Sequence, residues 1–217
     1  MIPGMKTVNI LLADDHEVMR RGLRALLESQ PGWRVCGEAA TGRLAVQKAV
    51  ALKPDVVVMD IAMPELNGLE ALRQIRKAGV RSQVLIFTVH ETEQLVHEVF
   101  KAGARGFVLK SEAARHLLAA VESLSEKRPY FASKVGETVL QGYLRAELPP
   151  MMTISPRECE VLQLIAEGKS SKEAARMLGC SVRTIETHRG VIMQKLRLHT
   201  LPDLVRYAIR NKIIDVD

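Results

Sequence analysis

Two adjacent acids, Asp14 and Asp15, close an apolar run, and a third, Asp60, closes another. Thr88 ends a fourth such run and Lys110 follows a fifth. If the runs are strands of an open α/β sheet ordered 2-1-3-4-5, strands 1 and 3 are neighbours at the reversal point. The strand ends there form a ligand crevice. Three carboxylates crowded in that crevice repel one another unless a cation is present. A site of hard oxygens with room for water suits Mg²⁺. Beside the metal, Asp60 becomes a nucleophile towards phosphorus, forming an acyl phosphate. Lys110 supplies a compact positive charge for phosphoryl oxygens, and the Thr88 hydroxyl donates a hydrogen bond to them. Taken singly, an aspartate at a strand end is a common turn or cap residue. The conjunction at successive strand ends points to chemistry.

The elements that must position these groups are legible as alternation. Val8–Ala13, Arg34–Ala39, Val56–Met59, Val84–Thr88 and Gly106–Leu109 are short runs rich in Val, Ile and Leu. They largely lack polar alternation, as strands buried on both faces do. Amphipathic stretches separate them; in VMRRGLRALLES, Val18, Leu23, Leu26 and Leu27 share a helical face. This order predicts a five-stranded parallel, doubly wound (flavodoxin-like) sheet over residues 6–126. Residues 127–152 read as a linker, helical over about 130–148 and broken at Leu148-Pro149-Pro150. Residues 153–217 carry only helical periodicity.

The quoted stretches ADD, VVVMDIAMPELNGLEAL, FTVHE and GFVLK resemble the receiver domain of response regulators over residues 6 to 126. The resemblance implies that Asp60 is the phosphoacceptor and that Asp14 and Asp15 bind the metal, with the Ala62 carbonyl as a further ligand. It makes Thr88 and Phe107 the paired switch residues and Lys110 the phosphate contact, with Pro64 and Gly68 shaping the loop after Asp60. Val89 departs from the small residue usual after the threonine and would narrow access to the phosphate. Ala62 offers no side chain to orient an attacking water. Both departures bear on the lifetime of the phosphoryl group.

The C-terminal helices are sharply punctuated. Ser155-Pro156-Arg157-Glu158 combines a capping box with proline at the first helical position, and Gly168 ends that helix. A second helix starts at Ser170-Ser171 and stops near Leu178-Gly179. The turn Gly179-Cys180-Ser181 leads to a third helix beginning near Val182, a helix-turn-helix pattern. On that third helix Val182, Ile185, Ile192 and Leu196 recur at core spacing, leaving Arg183, Glu186, Thr187, Gly190 and Gln194 on the other face. A helix fits the major groove, where side chains distinguish all base pairs. Between Lys169 and Arg197, seven basic residues stand against two acids, most of the chain's formal excess of +6. A phosphate-facing surface has this character.

The stretch SPRECEVLQLIAEGKSSKEAARMLGCSVRTIETHRGVIMQKL, continuing to LVRYAIR, closely resembles the LuxR-type DNA-binding domain. With a receiver in front, the chain resembles the NarL/FixJ family of response regulators. That resemblance implies a four-helix domain with base-facing positions at Glu186, Thr187 and Gly190. Lys172, Arg183, Thr184, His188 and Lys195 join them as DNA-contact candidates. Gly190 departs from the family by removing a base reader. Leu201, Leu204, Val205 and Ala208 on the final helix look like a dimerisation face, with packing inside the domain as the open alternative. The expected partners are a cognate histidine kinase, double-stranded DNA and a second copy of the chain.

Composition limits the alternatives. Cys36, Cys159 and Cys180 lack paired spacing, so neither a disulfide framework nor a zinc site is expected. No run of 18 apolar residues appears, and the first apolar stretch is interrupted by acids, so a cytoplasmic protein without membrane contact is expected. An aspartyl-phosphate hydrolase would want a second acid two residues after the nucleophile, where Ala62 stands. A phosphorylation-independent pseudo-receiver is the other alternative; the full Asp, Thr and Lys set argues against it.

Overall fold

A run of valines cannot leave both faces of a strand in water, and β3 (Val56–Met59) is buried at every residue. In the computed structural model, which describes residues 7–131 and 154–214, it lies mid-sheet. To one side are β1 (Val8–Ala13) and β2 (Trp33–Ala39); to the other, β4 (Gln83–Thr88), β5 (Gly106–Leu109) and β6 (Tyr130–Phe131). The order is β2-β1-β3-β4-β5-β6, parallel throughout. The sixth strand is a correction to the five expected. Tyr130 and Phe131 pair with Gly106 and Phe107 where a linker helix was expected to begin. The rest of that expected helix lies outside the described residues.

Helices α1 (Glu17–Glu28), α2 (Gly42–Leu52), α3 (Gly68–Lys77), α4 (Glu93–Lys101) and α5 (Ala113–Ser125) cover the sheet. Their starts follow from local chemistry. Thr41, Asn67 and Thr92 are N-caps whose side chains accept from the backbone N–H groups of Leu44, Glu70 and Leu95. The sheet separates two apolar layers. One joins Leu11, Val57, Met59 and Ile86 to Leu66, Leu72 and Val99; the other joins Ile10, Leu12, Val58 and Phe87 to Leu27 and Leu124.

Beyond residue 153 the chain forms α6 (Pro156–Ala166), α7 (Ser171–Leu178), α8 (Val182–Leu196) and α9 (Leu201–Arg210). Reciprocal capping boxes close Ser155/Glu158, Ser170/Glu173 and Thr200/Asp203. Gly179 ends α7 with φ of 63°, a left-handed conformation that glycine adopts without penalty. A separate core gathers Leu162, Ile165, Leu178, Ile185, Ile192 and Leu204. Val182, expected to face that core, is exposed instead at the first position of α8, and the helix meets the core from Ile185 onward.

Candidate functional sites

Sheet register puts the chemistry together. Ala13 pairs with Met59 and Met59 with Ile86, while Thr88 pairs with Leu109. Asp14, Asp60 and Lys110 are each the next residue after a strand end, so they emerge on one rim. Asp14 and Asp60 are 2% and 4% exposed. Lys110 Nζ lies 2.7 Å from Asp14 Oδ2 and 2.5 Å from Asp60 Oδ2, bridging the two carboxylates. Thr88 is wholly buried; its Oγ1 accepts from the His90 N–H at 3.3 Å, and its hydroxyl is near enough to Asp60 to favour the ionised carboxylate. Phe107 is buried on the neighbouring strand, packed in the apolar layer.

Burial pushes the Asp60 carboxyl above the ordinary carboxylate range, and the charge of Asp14 adds to this, while Lys110 and Thr88 oppose it. For Lys110, burial works against the charge, but Asp60 and Asp14 outweigh it and hold the ammonium above its usual value. The pair therefore depends on its cation, as crowded carboxylates must.

Donor chemistry is the test of fit for a metal. Asp14 Oδ2 and Asp15 Oδ1 are buried carboxylate oxygens whose close neighbours are the Lys110 ammonium and the His16 ring. With His16, Asp14 and Asp15 can present ligand atoms within 4.8 Å of one another. Hard carboxylate oxygens gathered on one rim, held only by a lysine and a histidine that a cation can displace, fit Mg²⁺. His16 adjoins the two acids. It is largely exposed, yet Nδ1 lies 2.8 Å from Asp15 Oδ1, and its backbone N–H donates to Asp14 Oδ1 at 2.8 Å. Ala62 is buried at the start of the following loop, and Val89, 61% exposed, stands largely in solvent.

Gly68 has a steric reason. A Cβ there would lie 2.0 Å from the Asp60 backbone oxygen, so only glycine lets α3 begin this close to the site. Its N–H donates to Ile61 O at 2.8 Å, which closes the loop. Sequence reading missed what grips that loop from outside. Gln163 of α6, wholly buried, donates from Nε2 to Met63 O at 2.8 Å and accepts from the Asn67 N–H at 2.7 Å. Glu167 accepts from the Glu65 N–H at 3.0 Å and from Gln163 Nε2 at 2.8 Å. Gln74 of α3 adds a bond to Glu160 at 2.7 Å. The one signal was a glutamine inside the apolar run VLQLI.

On α8, Arg183, Glu186, Thr187, Gly190 and Gln194 are exposed, with Thr184 and His188 half-buried; Lys172 is exposed on α7. The receiver's hydrogen bonds to the helical domain are made with α6 and Glu167, and these α8 residues keep their exposure. Thr187 Oγ1 donates to Arg183 O at 2.9 Å, so its hydroxyl is engaged with its own helix. Lys195 is held by Glu158 at 2.8 Å, which ties its ammonium to the α6 cap rather than leaving it free for a phosphate. Leu204 and Ala208 require correction as dimer contacts. Both are fully buried in the helical core, leaving Leu201 and Val205 with exposed surface.

The family described as the response regulator receiver domain matches residues 10–122, and the luxR family of bacterial regulatory proteins matches residues 152–208. The transcriptional regulatory protein LiaR of Bacillus subtilis is 36% identical over 210 residues, covering 96% of this chain and all of that protein. The oxygen regulatory protein NreC of Staphylococcus haemolyticus is 35% identical over 216 residues, with the same coverage. The chain belongs to the NarL/FixJ family of two-component response regulators. It therefore joins a receiver to a LuxR-type DNA-binding domain and is a regulator of transcription. A solved structure of two RcsB dimers bound to two parallel DNAs matches this response regulator with a TM-score of 0.58 and 25% identity, covering 93% of this chain and 98% of that one. No helix among its described residues is long and apolar enough to cross a membrane.

Proposed function

We propose that this response regulator accepts a phosphoryl group on Asp60 and that the acyl phosphate controls how its helix-turn-helix domain engages DNA. Lys110 within ion-pair distance of both Asp14 and Asp60, with buried Thr88 nearby, carries the reading. A histidine kinase is the donor: the P–N bond of its phosphohistidine breaks as an Asp60 carboxylate oxygen forms the new P–O bond. Asp14, Asp15, Asp60 and the Ala62 carbonyl would hold Mg²⁺, which when bound offsets charge on the phosphoryl group. Lys110 exchanges its Asp60 contact for a phosphoryl oxygen. Thr88 turns to donate to the same group, and Phe107, already buried on the neighbouring strand, repacks beside it, altering the β4–β5 face by a shift between two populated states.

A receiver over 6–126, extended by β6 at Tyr130–Phe131, and a helical domain over 153–217 serve this reading, as does placement in the cytoplasm beside DNA. On the DNA side, α8 enters the major groove, with Arg183, Glu186, Thr187 and Gly190 at the bases and Lys172, Thr184 and His188 towards the backbone. The RcsB dimers on DNA support a homodimer reading paired half-sites.

The test is labelling with a small-molecule phosphodonor. Wild type should incorporate one acid-stable, base-labile phosphoryl group, and Asp60→Asn should incorporate none. Equal labelling of the variant would overturn the assignment.

A further inference from the structure

The loop that follows Asp60 is held by two parts of the chain, and the second has no role in the mechanism above. From inside the receiver, Gly68 N–H ties the loop to Ile61. From the DNA-binding domain, Gln163 and Glu167 take three backbone groups of residues 63–67: Met63 O, Glu65 N–H and Asn67 N–H. Gln163 is wholly buried and Glu167 accepts from its Nε2, so the amide is oriented before it meets the loop. A buried amide satisfied on both its oxygen and its nitrogen is costly to leave unpaired.

We propose that Gln163 is a positioning residue for the receiver's cation site, through which the DNA-binding domain sets Mg²⁺ affinity. The inference rests on the metal-site reading above and deepens it. Met63 precedes Pro64, which steers Met63 to extended backbone. Across an extended residue, the preceding carbonyl and its own carbonyl point to opposite sides. Gln163 draws Met63 O towards α6, and that alternation turns Ala62 O away from α6, as the metal-site reading requires. Released from Gln163, the loop samples other orientations of that carbonyl, and the site must order it on binding. The coupling is reciprocal: whatever docking adds to Mg²⁺ affinity, Mg²⁺ returns to docking.

The experiment is isothermal titration of Mg²⁺ into the full chain, compared across wild type, Gln163→Ala, Gln163→Glu and Asp14→Asn. Gln163→Glu keeps an acceptor for Asn67 N–H but loses the donor to Met63 O. Both Gln163 variants should bind Mg²⁺ more weakly by about 5-fold, the lower end of ordinary coupling between sites. In parallel, hydrogen exchange of the 63–67 segment should slow on Mg²⁺ addition in wild type and show no added protection in Gln163→Ala. Unchanged Mg²⁺ affinity in both variants, with binding still abolished by Asp14→Asn, overturns the role of Gln163 alone. If Asp14→Asn binds Mg²⁺ as wild type does, the metal-site reading itself falls. A thermal unfolding scan of each variant separates misfolding, which would lower the midpoint of the helical domain, from loss of positioning, which would not.

Discussion

Replacing Lys110 by methionine isolates the electrostatics of the phosphorylation site. The change keeps a long chain and removes the only cation bridging Asp14 and Asp60 among the described residues. Both carboxylates are almost fully buried, and removing one partner of a buried pair costs about 3–5 kcal/mol. Burial already pushes the Asp60 carboxyl upward, and losing Lys110 pushes it further, which eases the loss as pH falls. The expected destabilisation without metal at neutral pH is therefore about 3 kcal/mol, at the low end of that range. The pH dependence has a definite sign. A carboxyl raised in the folded state favours folding most below its unfolded value, and that contribution is lost as pH rises through the folded value. Lys110→Met raises the folded value further, so its deficit is full near neutral pH and shrinks as pH falls. Mg²⁺ replaces the missing charge, so it should stabilise the variant more than wild type. Trp33, the chain's single tryptophan, lies on β2 and reports receiver unfolding in urea. Equal midpoints for variant and wild type in EDTA, or equal rescue of both by Mg²⁺, would refute the reasoning.

Gly68→Ala forces a Cβ against the Asp60 carbonyl and should cost about 1–3 kcal/mol, with slower phosphoryl transfer, read by urea unfolding and phosphodonor labelling. Gly190→Ala meets no atom within 4 Å and should stabilise α8 by about 1 kcal/mol, seen in the helical domain's unfolding transition. Leu204→Ala should destabilise that domain by about 2–5 kcal/mol through a core cavity. Leu201→Ala should leave unfolding nearly unchanged and weaken dimerisation in sedimentation; an unaltered dimer would remove Leu201 from the interface.

Much of this was legible because local rules and global fold agree. The valine run of β3 required burial on both faces, and strand–helix alternation required a parallel sheet, which sends Asp14, Asp60 and Lys110 to one rim. The helical domain announced its starts through Ser155/Glu158 and Ser170/Glu173, since capping depends on residues only three positions apart. Periodicity was weaker at element ends: Val182 has core spacing but stands at the first position of a helix that meets the core only from Ile185. It also could not separate a dimer face from a core face in Leu204 and Ala208, because both uses demand the same apolar stripe.

The sequence by itself determined the two kinds of domain, the acidic rim with its lysine, and the helix-turn-helix punctuation, all of which follow from residue type and short spacing. Tertiary structure alone decided that Tyr130–Phe131 adds a sixth strand, that Lys195 belongs to Glu158, and that Gln163 holds the loop beside Asp60. Each of those pairings joins residues far apart in the chain. A hydrogen bond forms wherever folding brings donor and acceptor within about 3 Å, and no local pattern encodes that meeting.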